Sequence, residues 1–175
     1  MESILYNNLP YQSGPEWLSE NILRNKWVLA VAGTHGKTTT TAIISHLFHS
    51  SGIHFKAFIG GIMKCFDSNY INTGNDYIIV EADEYDRSFL NLNVNYAVIT
   101  SIENDHLDVY GDFKTLTESF QSFANNVKDV LITDAEINLD KDFSFSIKND
   151  SDYYVSNIAV SYTHLRAHET DSYLV

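Results

Sequence analysis

The sequence predicts an α/β protein built on a doubly wound, mostly parallel sheet. Short, continuous apolar runs alternate along the chain with segments of helical periodicity, which is the pattern of strands buried beneath helices. A glycine-lysine turn directly follows the first run, and strongly polar turns follow two later ones. Because ligands of such folds collect at the carboxyl ends of the strands, the turns are the segments to examine for function.

The elements follow from these periodicities in chain order. Predicted strands cover residues 27–32, 54–59, 77–80, 96–102 and 130–133, and those at 27–32, 77–80 and 96–102 have the pattern of buried strands. Predicted helices cover residues 16–24, 38–50 and 112–126, the last with Asp112 as its N-cap. The side chains expected to face inward are Ile43, Ile44, Leu47 and Phe48 in the second helix, and Phe113, Leu116, Phe120 and Phe123 in the third. We expect residues 63–73 to form a loop or a weak hairpin, and residues 143–158 a weak β ribbon.

Composition narrows the class of protein. The 175 residues suit one domain, and 11 Lys+Arg against 23 Asp+Glu give a net charge of −12, so a surface that binds nucleic acid along its length is not expected. The single cysteine, Cys65, rules out an intrachain disulfide framework and suits a reducing compartment. The chain shows neither an apolar run of roughly 18–20 residues for a membrane span nor a signal peptide, so we expect a cytoplasmic protein without a membrane partner.

The turn after the first strand has the features of a phosphate-binding loop. Glycines permit a tight turn whose backbone N–H groups face an anion, and the next helix adds its partial positive charge. In this setting Lys37 would reach the β- and γ-phosphates of a nucleotide, and the Thr38 hydroxyl would complete a Mg²⁺ site. Val31 stands where the common eight-residue pattern has its first glycine, so this is a shorter variant. The predicted phosphate-binding residues are Gly33, Thr34, His35, Gly36, Lys37, Thr38 and Thr39.

An acidic segment follows the strand at residues 77–80. A magnesium ion held by phosphate oxygens and Thr38 needs one or two protein carboxylates beside it, and Glu81 is the best placed because it comes first after the strand. For Asp83, Glu84 and Asp86 the sequence leaves two interpretations open, a role in the site or a solvated acidic turn.

A third polar segment follows the strand at residues 96–102. Here His106 could bind a second metal ion through its neutral imidazole or contact phosphate, with Asp105 and Asp108 orienting it. The three turns together predict one site, a nucleoside triphosphate held by Lys37 and one or two divalent ions. The residues alone do not decide which group receives the phosphoryl group.

These motifs carry a family resemblance. "GTHGKTTTT", "EADEYDRSFL" and "ITSIENDHLDVYGDF" together resemble the ATP-binding central domain of the Mur ligases of peptidoglycan synthesis, with consistent order and spacing over residues 9–130. The resemblance implies ATP and Mg²⁺ as cofactors and a two-step amide synthesis through an acyl phosphate. It further implies a carboxylate substrate, UDP-N-acetylmuramate, and an amine partner that is L-alanine or the murein tripeptide, with L-alanine favoured. By the same resemblance Lys37, Glu81 and His106 would be catalytic, and Thr38, Glu81 and His106 would hold the metals, while His35 would contact substrate or phosphate.

The resemblance also implies a domain organisation. We expect residues 1–26 to be the end of an N-terminal UDP-binding domain and its linker, and residues 27–158 to be a partial, truncated central domain. The segment from Ala159, "AVSYTHLRAHETDSYLV", continues no apolar period and resembles a translated adapter sequence, so we expect residues 159–175 to be a non-native tail. Residues that bind adenine, UDP and the amine would then lie outside this chain.

Three other functions remain open. A folylpolyglutamate synthase of the same superfamily also joins an amine to an acyl phosphate, although the "EADE" and "DHLDVYG" motifs favour the muramyl branch. A P-loop NTPase switch or transport ATPase would hydrolyse nucleotide without a carboxylate acceptor. A non-catalytic nucleotide-binding remnant would release no phosphate when both ligase substrates are present.

Overall fold

The computed structural model describes residues 6–7, 11–104, 107–147 and 151–155. Within them the chain forms an eight-stranded sheet in the order β3-β2-β4-β1-β5-β6-β7-β8. Neighbouring strands run parallel except β2 and β3, which form an antiparallel hairpin. The strands are β1 Trp27–Ala32, β2 Phe55–Met63, β3 Ser68–Asn72, β4 Tyr77–Glu81, β5 Tyr96–Ile99, β6 Val130–Asp134, β7 Phe143–Ser146 and β8 Tyr153–Tyr154.

Helices cover both faces of the sheet, which confirms the predicted doubly wound α/β class. The helices are α1 Gly14–Leu18, α2 Lys37–Ser50, α3 Leu107–Tyr110 and α4 Phe113–Asn125, with a π-helical segment Ser19–Leu23 after α1 and a 3₁₀ helix Tyr85–Asn91 after β4. As predicted, Asp112 caps α4, and its carboxylate accepts a 2.7 Å hydrogen bond from the backbone N–H of Thr115. Among the described residues, no helix is both long and apolar enough to cross a bilayer.

The two faces of β1 explain its continuous apolar run. Val28, Ala30 and Ala32 belong to the core beneath α4 and the 3₁₀ helix, whereas Leu29 and Val31 belong to the core beneath α2. Alternate residues of a strand point to opposite faces, so a central strand covered on both sides must be apolar at every position. The six residues of β1 are buried or half-buried throughout.

Helix α2 is rotated from its predicted orientation. Ile44 and Phe48 pack against the core, but Ile43 and Leu47 are 55% and 57% exposed, so their predicted inward placement is wrong. The fully buried positions are Thr41 and Ser45, whose hydroxyls donate 2.8 Å bonds to backbone carbonyls one turn earlier. These bonds satisfy the polar groups within the helix, and the small side chains allow α2 to lie close to the sheet.

Two other predictions need correction. Phe113 is 45% exposed rather than inward, because it is the first residue after the Asp112 cap, while Leu116, Phe120 and Phe123 are fully buried as predicted. Strand β2 continues through its glycines to Met63 instead of ending at residue 59, with a register shift between Phe58 and Met63. The predicted loop or weak hairpin is therefore the β2–β3 hairpin.

Strand register brings the polar turns together. Val31 of β1 lies opposite Glu81 of β4, and Ala32 of β1 lies opposite Ile99 of β5. The three central strands therefore end at the same edge of the sheet. The chain runs from β1 to the β2 side and later crosses to β5 on the other side, and crevices at such reversals bind ligands in open α/β sheets.

Candidate active site

The turn between β1 and α2 depends on glycine at two positions. Gly33 has φ +133° and Gly36 has φ +78°, both in the region that other residues rarely adopt. A Cβ atom added to Gly33 would also lie only 2.2 Å from the Thr100 hydroxyl oxygen. The loop is thus packed directly against the segment that leaves β5.

That segment holds the loop through hydroxyl groups that sequence reasoning missed. The Ser101 hydroxyl accepts a 3.0 Å bond from the His35 backbone N–H and lies 3.0 Å from the Thr34 hydroxyl, and the Thr100 hydroxyl donates to the His35 carbonyl. The Thr34 hydroxyl in turn accepts a 3.0 Å bond from the Glu103 backbone N–H. The sequence signal that could have indicated these contacts is the pair of hydroxyl residues, Thr100 and Ser101, near the end of a predicted buried strand.

The side chains of two predicted loop residues, His35 and Thr39, are accessible. The His35 ring lies at the surface, with its Nε2 atom 3.6 Å from the exposed Glu103 carboxylate, so the contact is an ion pair only when the imidazole is protonated. Thr39 is exposed in the first turn of α2. A contact of either residue with phosphate stays a prediction.

Lys37 reaches back across the loop that it follows. Its ammonium group donates a 2.8 Å bond to the Gly33 carbonyl and bonds of 2.7 and 3.0 Å to the two carboxylate oxygens of Glu84. Glu84 is fully buried, and the Lys37 side chain is 15% exposed. The solvated-turn interpretation is therefore wrong for Glu84, whereas Asp83 next to it is exposed and accepts a bond from the Tyr85 N–H.

Glu81 is held between α2 and β2. The Thr38 hydroxyl donates a 2.8 Å bond to its Oε1 atom, and the Gly60 backbone N–H donates a 2.5 Å bond to Oε2. A Cβ atom at Gly60 would come within 2.8 Å of both carboxylate oxygens, so any other residue here would require the Glu81 carboxylate to shift. Gly60 was predicted only as a strand end, and its part in the site was missed.

The Thr38 and Glu81 oxygens fit the donor set that Mg²⁺ prefers. Magnesium is commonly bound through one or two carboxylates, with phosphate oxygens and water completing its octahedron. The described ranges contain no cluster of three or more His, Cys, Asp and Glu side chains that could hold a metal without such help. His106 and Asp105, predicted as metal ligand and orienting residue, lie outside the described residues, as do the side chains of Asp86 and Asp108.

Two cavities of similar volume lie at this edge of the sheet, among the residues that the structure describes. One of about 470 Å³ is lined by Lys37, Glu81, Gly60 and Asp83, among others. Another of about 480 Å³ lies between residues 100–103 and the segment after β6. Both volumes fall in the range of small-molecule sites. The first holds Lys37 and Glu81, the two predicted catalytic residues that the structure describes.

A strand, a glycine-lysine loop and a helix at the carboxyl edge of a parallel sheet define a P-loop α/β domain. The chain belongs to the Mur ligase family, because residues 31–171 match the family profile of the Mur ligase middle domain. The family resemblance drawn from the three motifs is thereby confirmed.

Individual relatives agree with this assignment. The UDP-N-acetylmuramate–L-alanine ligase of Flavobacterium psychrophilum is 51% identical over 108 residues, which are 62% of this chain and 24% of that protein. The UDP-N-acetylmuramate–L-alanyl-γ-D-glutamyl-meso-2,6-diaminoheptandioate ligase of Haemophilus influenzae is 37% identical over 134 residues, 73% of this chain and 30% of that protein. The crystal structure of the UDP-N-acetylmuramate-alanine ligase of Thermotoga maritima superposes with a TM-score of 0.70 at 28% identity, covering 82% of this chain and 34% of that one. The chain thus spans between about a quarter and a third of the length of these proteins.

Proposed function

We propose that this chain supplies the ATP-binding part of a cytoplasmic ligase of peptidoglycan precursor synthesis, which joins L-alanine to UDP-N-acetylmuramate. The observation that carries the proposal is the shared position of Lys37 and Glu81 on one cavity, with Thr38 bonded to Glu81. An ammonium group, a hydroxyl and a carboxylate beside a glycine turn are the groups that hold a magnesium-bound triphosphate. Family membership supports the same conclusion.

The chemistry follows from the weakness of a carboxylate as an acyl donor. Transfer of the γ-phosphoryl group of ATP to the lactyl carboxylate of UDP-N-acetylmuramate forms an acyl phosphate and ADP. The amine then attacks the acyl carbon, and inorganic phosphate leaves with the electrons of the broken C–O bond. Phosphorylation is needed because it turns a carboxylate oxygen into a good leaving group.

Residues of this chain act on the first of these steps. Lys37, held at the mouth of the loop, donates to phosphate oxygens as negative charge shifts between them, and the loop N–H groups orient the triphosphate. Thr38 and Glu81 are the residues that would hold Mg²⁺, which when bound offsets the charge of the phosphate oxygens. His106 is the proposed ligand of a second ion.

L-Alanine is the proposed amine because the relative of that activity has the higher identity, 51% against 37% for the tripeptide ligase. The tripeptide ligase is the second candidate, and its relative covers more of this chain, 73% against 62%. The names of both relatives include UDP-N-acetylmuramate, so the choice between them changes the amine and leaves the phosphoryl transfer unchanged.

Phosphate release tests the proposal. The full-length protein encoded by the reading frame of this chain is incubated with MgATP, UDP-N-acetylmuramate and either L-alanine or the tripeptide. Phosphate release that requires both UDP-N-acetylmuramate and L-alanine supports the proposal. Release that requires UDP-N-acetylmuramate and the tripeptide, and does not occur with L-alanine, supports the second candidate. Phosphate release from MgATP in the absence of UDP-N-acetylmuramate and of both amines would identify an NTPase. Nucleotide binding without any release would identify a non-catalytic nucleotide-binding protein.

A further inference from the structure

The Lys37 ammonium group is fully engaged by the protein itself. An ammonium has three N–H donors, and here the acceptors are the Gly33 carbonyl and both oxygens of Glu84. Gly33 and Lys37 stand at the two ends of the loop, so the side chain spans its mouth. A nucleotide phosphate that uses Lys37 must therefore take over at least one of these bonds.

Two hydrogen bonds hold the backbone carbonyl of Glu84. Its carbonyl accepts a 2.9 Å bond from the Arg87 N–H and another from the Tyr110 hydroxyl, which joins it to the end of α3. Its side chain has no exposed surface, although it lies only three residues beyond Glu81. The backbone of Glu84 is thus held in place, and its buried carboxylate contacts Lys37.

We propose that Glu84 is the positioning residue for the phosphate-binding lysine. It holds the Lys37 ammonium across the loop before nucleotide binds and retains it afterwards through one hydrogen bond, while the donor of the other bond passes to a phosphate oxygen. This inference rests on the proposed function, since it requires a nucleotide at the loop.

Burial is the reason that Lys37 stays with Glu84 when phosphate binds. Separating a buried carboxylate from an ammonium group that contacts it at 2.7 Å is unfavourable, so a complete swing of Lys37 toward phosphate is disfavoured. Exchange of a single bond costs less, because Lys37 donates two bonds to Glu84, of 2.7 and 3.0 Å, and the longer one can pass to phosphate. The Gly33 bond keeps the ammonium at the loop mouth during this exchange.

Substitution of Glu84 should therefore weaken nucleotide binding, even though it removes a negative charge close to the phosphates. In Glu84→Gln the side-chain shape is kept, but Lys37 is no longer held by a carboxylate. A hydrogen bond to a charged group contributes about ten- to a hundredfold to affinity, and part of this is lost when Lys37 is no longer held toward phosphate. If Glu84 instead only competed with phosphate for Lys37, the same substitution would tighten binding.

A double-mutant cycle on MgATP affinity separates these outcomes. Titration calorimetry, extended to millimolar nucleotide, measures the MgATP affinity of the full-length protein encoded by the reading frame. The unsubstituted protein is compared with Glu84→Gln, Lys37→Met and the double variant. We expect Glu84→Gln to weaken binding at least tenfold with Lys37 present and to have no further effect with Met at that position. Additive losses, which a purely structural role of Glu84 would give, or tighter binding by Glu84→Gln overturn the inference.

The matched control is Glu118→Gln. It removes one negative charge at an exposed position of α4, where the carboxylate lies 3.7 Å from Lys114. Its MgATP affinity should equal that of the unsubstituted protein. A tenfold loss here too would show that the effect does not depend on the Lys37 contact, and would overturn the inference.

A crystal structure of the unsubstituted protein with a non-hydrolysable MgATP analogue gives an answer that needs no variant to fold. The expected result is Lys37 Nζ within hydrogen-bond distance of one Glu84 oxygen and of a phosphate oxygen together. Lys37 bonded to phosphate and separated from both Glu84 oxygens overturns the inference while the proposed function stands. Absence of MgATP binding by the unsubstituted protein overturns the proposed function and the inference with it.

Discussion

The Thr38 hydroxyl donates a 2.8 Å hydrogen bond to Oε1 of Glu81, joining the first turn of α2 to the last residue of β4. The two residues lie 43 positions apart in the chain. Their contact exists because β1 and β4 are parallel neighbours whose ends are in register. It unites in one place the two oxygen-bearing side chains that we propose as magnesium ligands.

Removal of the Thr38 hydroxyl should reduce the affinity for the magnesium complex of ATP. In Thr38→Ala one oxygen ligand is lost and Glu81 loses its hydrogen-bond donor, so we expect about a ten- to hundredfold weaker MgATP affinity. Thr38→Ser keeps the hydroxyl and should bind as the unsubstituted chain does. Calorimetric titration with and without Mg²⁺ measures the effect, and equal affinity for MgATP in both variants would exclude Thr38 from the metal site.

Substitution of Gly60 should displace the Glu81 carboxylate while leaving the Glu81 side chain itself unchanged. The Cβ of Gly60→Ala would lie 2.8 Å from both carboxylate oxygens, so the Glu81 carboxylate must shift from its contact with the Gly60 N–H. We expect MgATP affinity to fall by at least tenfold, because bound metal tolerates little displacement of its ligands. Gly14→Ala, at a position with open space around it, is the control. Unchanged affinity in Gly60→Ala would mean that the position of Glu81 does not matter for binding.

The Lys37–Glu84 pair should show itself in stability as well as in binding. Lys37→Ala leaves the fully buried Glu84 carboxylate without this cation, and breaking a buried pair in this way costs about 3–5 kcal/mol in the free energy of unfolding. Adding Glu84→Gln to Lys37→Ala should recover much of that loss, since the negative charge of the buried side chain is then removed. Urea unfolding measures both variants. A double variant less stable than Lys37→Ala would contradict the assignment of Glu84 as a charged, buried partner.

The Asp112 cap should make the stability of α4 depend on pH. The hydrogen bond from the Thr115 backbone N–H holds the pKa of Asp112 below its ordinary value. Because the folded-state pKa is the lower one, the stabilisation is complete above the unfolded pKa of about 4 and is lost as pH falls through the folded-state value. Asp112→Asn keeps a capping oxygen but does not titrate. The melting-temperature advantage of Asp112 over Asn should therefore shrink as pH is lowered below about 4, and a constant difference would refute the contribution of the charged cap.

The fold class and the loop could be predicted because they depend on local patterns. The apolar run of β1, the glycines before Lys37 and the Asp112 cap each reflect requirements of neighbouring backbone, which a single sequence displays. The outward turn of Ile43 and Leu47 could not be predicted, because α2 has apolar residues around much of its circumference and the sheet selects among them. The 3₁₀ helix Tyr85–Asn91 is too short to show a helical period.

The sequence by itself determined the alternation of strands and helices, the phosphate-binding turn and the placement of Glu81 after a buried strand. These are consequences of backbone geometry and of burial along the chain, and both act over a few residues. Only the tertiary structure decided that Glu84 is buried against Lys37, that Gly60 makes room for Glu81 and that Thr100 and Ser101 hold the loop. These contacts join strands distant in the chain, and they depend on a register set by the packing of the whole sheet.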